Sequence, residues 1–450
     1  MSVALIILAA GKGTRMQSDL PKVLHEVAGA PLLVHAMKSG ASVDPARTVV
    51  VTGHGADAVE AAARNWTDDV DVTLQTEQLG TGHAVLQARE ALDGFEGDAI
   101  VLYGDTPFIE GETLEAMLEA RATHDVVVLG FDAADPGRYG RLVTDGDALL
   151  EIVEFKDADD ATRAITLCNS GVVCAKADVL FDLLDAVTNE NASGEYYLTD
   201  IPAIARTRGM SAGVVRCNEA ETMGINSRAE LAIAEAAFQT QSRKAAMENG
   251  VTLQAPDTVY FSHDTYLGSD VVVEPNVVFA KGVTVENGAT IRAFSHLEGC
   301  HVSRDSVVGP YARLRPGAEL AEGVKIGNFV EIKNAVIDAG AKVNHLSYIG
   351  DAHVGERTNI GAGTITCNYD GVFKHKTTIG SDVFIGSNTM LVAPVTLGDE
   401  SMTATGTVVT RDVPDGDMAV ARARQDNKAG FARRMFDKLK AKKAKQSGGS

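Results

Sequence analysis

LGSDVVVEPNVVFAKGVTVENGATIRAFSHL (267–297) places an aliphatic or aromatic residue at every sixth position: Leu267, Val273, Phe279, Val285, Ile291 and Leu297. After one five-residue step the register resumes at Val302, Val308, Leu314, Leu320, Ile326 and Ile332. It continues through Ile337, Val343, Ile349, Val354 and Ile360, and past an insertion at Ile379, Ile385, Leu391 and Leu397. Glycine often follows directly, as at Gly309, Gly327, Gly350, Gly361, Gly380, Gly386 and Gly398. A period of six fits neither a helix of 3.6 residues per turn nor an alternating strand.

The period does fit short strands joined by tight corners and stacked as a parallel β-helix. The apolar side chain of each hexad points inward, and the small residue after it lets the backbone turn. One hexad cannot bury its own face, but stacked coils share a core in which each Val, Leu or Ile contributes roughly 1.5–3 kcal/mol. The alternative is a β-sandwich whose strands fall at this spacing by coincidence. The stretch also resembles the left-handed hexapeptide-repeat acyltransferases. That resemblance, and not the spacing, implies the left hand, against the usual right-handed crossover.

The 450 residues suffice for two or three domains. With 41 Lys and Arg against 61 Asp and Glu, the net charge is −20, which argues against nucleic acid or an anionic membrane as a partner. Any phosphate site must therefore be built locally. Cys168, Cys174, Cys217, Cys300 and Cys367 lack metal-ligand spacing and are odd in number, as expected of free thiols in a reducing compartment. The apolar run at 3–10 has no basic leader, and nothing reaches transmembrane length, so a cytoplasmic location is expected.

VALIILAA (3–10) reads as a buried strand and GKGTRM (11–16) as a Gly-rich turn into a helix, an arrangement whose free N–H groups cradle phosphate. It is neither a dinucleotide fingerprint, since Met16 holds the third glycine position, nor a Walker loop. Arg15 and Lys22 are cations near the turn, which is otherwise only a turn. TVVVTGH (48–54), a strand at 99–104 and DVVVLGF (125–131) alternate with helices, so a mostly parallel sheet is expected. Asp105 falls just past a strand end, where ligands collect. It is a candidate Mg²⁺ ligand, or a cap or turn residue.

LAAGKGTRM (8–16) with PK at 21–22 resembles the signature of sugar-nucleotide pyrophosphorylases. QTEQLGTGHA (75–84), YGDTP (103–107), GRYGR (137–141), VEFKD (153–157), NSG (169–171) and GIN (224–226) follow in that family's order. With the hexads, nearly the whole chain to about residue 425 is similar to the bifunctional N-acetylglucosamine-1-phosphate uridyltransferase/glucosamine-1-phosphate acetyltransferase family. The resemblance implies that Leu8, Ala9, Ala10, Gly11, Arg15, Lys22, Gln75, Gly80 and Thr81 hold UTP. It implies that Tyr103, Gly104, Gly140, Glu154 and Asn169 hold the sugar phosphate, and that Asp105 and Asn226 hold Mg²⁺.

Departures from the hexad pattern mark a second site. Arg313, Arg315, Lys325 and Lys333 bring positive charge, NHLSYIGD (344–351) carries His345 and Tyr348, and TCNYDGVFKHK (366–376) interrupts the repeat. Loops extruded from β-helices often carry function. The resemblance implies His345 as the general base of acetyl transfer from acetyl-CoA to glucosamine 1-phosphate. It implies Arg315, Lys333, Tyr348, Asn359 and Lys374 on the sugar phosphate, and Ala362, Asn368, Tyr369, Ser387, Thr405 and Arg422 along acetyl-CoA. Thr405 departs from the small alanine common there. The resemblance also implies a homotrimer.

The expected organisation is an α/β nucleotidyltransferase domain with a Rossmann-like sheet over 1–226, a linker helix over 227–249, a β-helix acetyltransferase domain over 250–425 and a basic tail over 426–450. Ser227 and Glu230 form a capping box at the start of that helix, and Gly250 ends it. The tail is expected to be disordered. The function read from these residues is acetyl transfer followed by uridylyl transfer. One alternative is a sugar-1-phosphate nucleotidyltransferase with a structural or regulatory coil; another is a non-catalytic nucleotide-sugar sensor.

Overall fold

A computed structural model describes residues 2–146 and 148–447. The chain forms two compact units. One comprises residues up to Ala245 with Phe261–Asp264; the other comprises Ala246–Tyr260 and the chain from Thr265 onward.

The first unit is built on a nine-stranded sheet. Strand Val3–Ala9, third from one edge, pairs in parallel with Arg47–Thr52 on one side and Asp98–Tyr103 on the other. All seven residues of Val3–Ala9 are buried, because helices cover both faces. Val3, Leu5, Ile7 and Ala9 enter one core, while Ala4, Ile6 and Leu8 enter the other. Leu167–Lys176 runs antiparallel between Asp98–Tyr103 and Val126–Asp132, so the sheet is mixed beyond the parallel run at one end.

No long helix follows the Gly-rich turn, contrary to expectation. Residues Thr14–Met16 form one 3-10 turn between Gly13 (φ 59°) and Gln17 (φ 48°), and the first α-helix is Leu32–Ala41. Left-handed residues at both ends of the turn stop propagation, and Pro21 then fixes an extended entry to a second 3-10 turn, Lys22–Leu24.

The helix expected at the linker spans Arg228–Glu248. Leu231, Ala234 and Phe238 pack it on Val27, Ala28, Leu32 and Ile225. Its cap differs from a full box. The Glu230 N–H donates to Ser227 Oγ (3.3 Å), but the Glu230 carboxylate accepts from the Asn226 N–H (2.6 Å), one residue earlier than a box requires. Gly250 adopts φ 88° just past the helix, as expected.

The second unit is the parallel β-helix. Successive coils align Val272 with Thr290, Val307, Lys325 and Lys342, a rise of 17 or 18 residues per coil. Three hexads thus make one turn. One face is a ten-stranded sheet; the other two join through Glu331–Ile337 and Tyr348–Val354, which bend round a corner. From Val273 to Leu397 every hexad residue is buried, and Leu267 alone is only half-buried. The coil from Asn359 to Phe384 takes 25 residues, the excess forming the extruded loop between Cys367 and Thr377.

The tail is helical over Phe431–Ser447, where disorder was expected; its last three residues lie outside the described residues. Ala, Lys, Arg, Met and Leu favour helix locally even though the segment buries no residue. Among the described residues no helix is long and apolar enough to cross a membrane.

Candidate active sites

The carboxyl ends of Val3–Ala9 and Asp98–Tyr103 open into a cleft of about 300 Å³ lined by Leu8, Ala9, Ala10, Gly11, Lys22, Gln75, Gly80, Thr81, Tyr103 and Asp105. Ten of the residues singled out in sequence therefore converge. Gly11 has open space where a side chain would stand, leaving its backbone accessible. Gly13 does not: a Cβ there would sit 2.5 Å from Lys22 Cβ, so glycine lets the turn pack on the base of the lysine. Gln75 is buried, and its amide donates to the Gly80 carbonyl at 3.2 Å. Gln78, which sequence reasoning passed over, lines the cleft and donates to the Ala10 carbonyl at 2.8 Å. Arg15 is exposed on the turn.

At the cleft's edge the Lys22 ammonium is ion-paired with Asp105 Oδ2 and lies 3.0 Å from Asn226 Oδ1. The Asn226 amide is oriented by donation from Nδ2 to the Gly224 carbonyl at 3.2 Å. Sequence positions 83 and 204 residues away from Lys22 thus meet on one ammonium.

Tyr103, Gly140, Glu154 and Asn169 form the adjoining wall. A Cβ at Gly140 would lie 3.6 Å from both Asn169 Cβ and Glu154 Oε1. The Asn169 N–H donates to the Gly140 carbonyl at 2.9 Å. Burial pushes the Tyr103 phenol well above its ordinary range, and the nearby Asp105 and Glu154 carboxylates push it further. Burial also raises the Glu154 carboxyl, against a 3.1 Å hydrogen bond from the Thr199 hydroxyl. Arg141, from the GRYGR motif, is 2% exposed and donates to the carbonyls of Pro136, Gly137, Tyr139 and Arg163. It staples the loop that presents Gly140.

On the β-helix the second set of residues falls into two columns. In the first, Asn328 pairs with His345. Above it the Gly363 N–H donates to the His345 carbonyl (3.2 Å), the Asn388 N–H to that of Ala362 (2.7 Å), and the Gly406 N–H to that of Ser387 (2.8 Å). Arg422 Nη1 then donates to the Thr405 carbonyl (2.7 Å). His345, Ala362, Ser387, Thr405 and Arg422 therefore climb one edge, coil by coil. Thr405 meets Arg422 through its backbone, a contact that its side-chain identity does not alter. Asn359 stands on the same face, in register with Lys342.

His345 Nδ1 lies 3.0 Å from Asn328 Oδ1, a partner not singled out in sequence. An amide oxygen only accepts, so this bond puts the imidazole proton on Nδ1 and leaves Nε2 free to take another. The Ser347 hydroxyl also donates to the His345 carbonyl at 2.8 Å.

The second column begins past the corner formed by Leu346 and Ser347. Arg315 Nη1 is bonded to Glu331 Oε1 at 2.7 Å, and Glu331 is in register with Tyr348. Asn368, at the base of the extruded loop, donates to Asp351 and lies 3.4 Å from the Tyr348 hydroxyl. Asp351 also accepts from Asn334 at 2.6 Å. Lys374 is brought against Lys333, whose proximity holds the Lys374 ammonium below its ordinary value, with Asp351 opposing. Tyr369 is exposed in the loop, its hydroxyl donating to the Gly371 carbonyl. Not all the basic residues read as one cluster meet: Lys325 belongs to the ten-stranded face, beside Lys342, and not to the Arg315–Lys333 column.

Residues 5–190 match the MobA-like NTP transferase domain family, and residues 376–411 match the hexapeptide repeat of succinyl-transferase. The bifunctional protein GlmU of Ruegeria sp. is 67% identical over 449 residues, covering 100% of both chains. That of Roseobacter denitrificans is 64% identical over 450 residues, again covering 100% of both. That of Paracoccus denitrificans is 61% identical over 441 residues, or 98% of each chain. With a transferase unit, a hexapeptide-repeat unit and relatives this similar from end to end, the chain belongs to the family of bifunctional GlmU proteins.

Proposed function

We propose that this enzyme acetylates glucosamine 1-phosphate from acetyl-CoA on the β-helix. It then transfers a uridylyl group from UTP to N-acetylglucosamine 1-phosphate in the α/β unit, giving UDP-N-acetylglucosamine and pyrophosphate. The observation that carries this reading is the presence of two separate polar constellations, one at the strand ends around Lys22 and Asp105, the other around His345 and Lys333.

In uridylyl transfer the sugar phosphate oxygen is already an anion, so no strong base is needed. The site has to bring two anions into line and offset charge as it develops. Gly11 offers backbone N–H to phosphate, Arg15 and Lys22 offer positive charge, and Gln75, Gly80 and Thr81 shape the nucleotide side. Tyr103, Gly104, Gly140, Glu154 and Asn169 hold the sugar phosphate. Asp105 and Asn226 would hold Mg²⁺. One carboxylate oxygen and one amide oxygen, already sharing a cation in Lys22, are the hard donors Mg²⁺ takes alongside substrate phosphates. When bound, the ion supplies charge neutralisation between the phosphates.

In acetyl transfer His345 Nε2 takes a proton from the glucosamine amine as it attacks the thioester, and Asn328 holds the productive tautomer. Arg315, Lys333, Tyr348, Asn359 and Lys374 grip the sugar phosphate, while Ala362, Asn368, Tyr369, Ser387, Thr405 and Arg422 line acetyl-CoA. A homotrimer suits the exposed apolar loop residues Tyr369, Val372 and Phe373, between 60% and 74% accessible in one chain. A cytoplasmic setting suits five free cysteines, three of them with thiols that burial pushes up to about 12.

The test is a coupled assay with glucosamine 1-phosphate, acetyl-CoA, UTP and Mg²⁺, leaving out each in turn. UDP-N-acetylglucosamine should require all four. Thiol release should require only the first two. Absence of glucosamine-dependent thiol release would leave the coil a structural or regulatory module.

A further inference from the structure

Resting on the reading of Asp105 and Asn226 as cation ligands, we infer that Lys22 is an internal competitor for that site. Its ammonium occupies the two ligand oxygens while the cleft holds no nucleotide, and it must leave them when the divalent cation enters. The ammonium is bonded to Asp105 Oδ2 and stands 3.0 Å from Asn226 Oδ1, with the Lys22 and Asp105 side chains only 14% and 16% exposed. A second cation bridging the same oxygens would sit against it, and like charges at such separation in a partly buried site repel strongly.

The surroundings allow the exchange. The base of Lys22 is fixed, packed on Gly13 within one 3-10 turn, while its four-carbon stem leaves the head group free to swing. The cleft that Lys22 and Asp105 line also contains Gly11, so the displaced ammonium remains beside the place proposed for nucleotide phosphates. The protein alone is a poor cation trap: among the described residues no group of three or more His, Cys, Asp or Glu could hold a metal ion. Phosphate oxygens must complete the shell and also receive the lysine. Lys22 thereby makes cation binding conditional on nucleotide.

The experiment measures Mn²⁺ binding to the full-length protein by the loss of its free-ion electron paramagnetic resonance signal. Wild type, Lys22→Met, Asp105→Asn and the double variant are compared without nucleotide and with a non-hydrolysable UTP analogue. Without nucleotide, Lys22→Met should bind Mn²⁺ on the order of tenfold or more tightly than wild type, since one adjacent charge is worth one to three pKa units at such a site. The gain should vanish in the double variant. With the analogue the order should reverse, because wild type regains its lysine on the phosphates. Lys22→Gln provides the same comparison should the methionine variant not fold, and acetyl transfer by each protein checks its integrity. If Lys22→Met binds no more tightly than wild type while Asp105→Asn still weakens binding, the competition is disproved and the metal site stands. If Asp105→Asn leaves Mn²⁺ binding untouched, the metal site itself is wrong, and the competition with it.

Discussion

The Tyr103 ring lies against Gly171 so closely that a methyl group at Gly171 would stand 2.7 Å from it. Gly171 also holds φ 92°, which side chains resist. Gly171→Ala should therefore displace the tyrosine within the wall proposed for the sugar phosphate. The KM for N-acetylglucosamine 1-phosphate should rise about tenfold, the equivalent of about 1.4 kcal/mol. Acetyl transfer should not change. Steady-state assays of pyrophosphate and thiol release measure both.

Among the described residues Arg141 meets no carboxylate; its buried guanidinium is satisfied by four backbone carbonyls, with the Phe155 ring 5.9 Å away. Lysine keeps the charge but loses the planar fork. Arg141→Lys should cost about 1–3 kcal/mol by stranding buried carbonyls, and should loosen the Gly140 loop. Thermal unfolding reads the first effect, and a raised KM for the sugar phosphate with an unchanged KM for UTP reads the second.

Asn328 fixes the tautomer of His345. Asn328→Ala should lower kcat for acetyl transfer about tenfold or more, within the range that general-base catalysis supplies. Uridylyl transfer should stay at the wild-type rate. Parallel assays of the two activities on one preparation decide it.

Glu154 is raised above its ordinary 4.5, first by burial. The folded protein thus binds its proton more tightly than the unfolded chain, so ionisation costs stability as pH rises through the folded value. Glu154→Gln should remove that cost. The first unit should melt at a higher temperature at pH 7–8. As pH falls below 4.5 and the unfolded chain also becomes protonated, the difference should shrink towards zero. Calorimetric scans from pH 4 to pH 8 follow it.

The sequence was most legible where burial repeats. The hexads Val273 to Leu397 all face inward because stacked coils of three hexads return each apolar side chain to one shared core. The apolar run at 3–10 could only be a strand covered on both faces. Strand-end position likewise brought Asp105 to the cleft. Contacts that depend on coil length were not legible: Asn328 and His345 are 17 residues apart and meet only because that coil is one residue short of 18. Lys325 and Lys333, eight residues apart, lie on different faces of the coil. The missing helix after Gly13 was hidden because left-handed Gln17 carries no sequence cue. The Glu230 bond to Asn226 was missed because the local motif fits two adjacent N–H groups equally well.

The central claim is that one chain carries two independent chemistries. The direct measurement assays Asp105→Ala and His345→Ala separately for glucosamine-dependent thiol release and for UDP-N-acetylglucosamine formed from N-acetylglucosamine 1-phosphate. Asp105→Ala should lose most uridylyl transfer and keep acetyl transfer; His345→Ala should do the reverse. Either variant losing both activities while still folded, or keeping the one assigned to its site at the wild-type rate, would contradict the account.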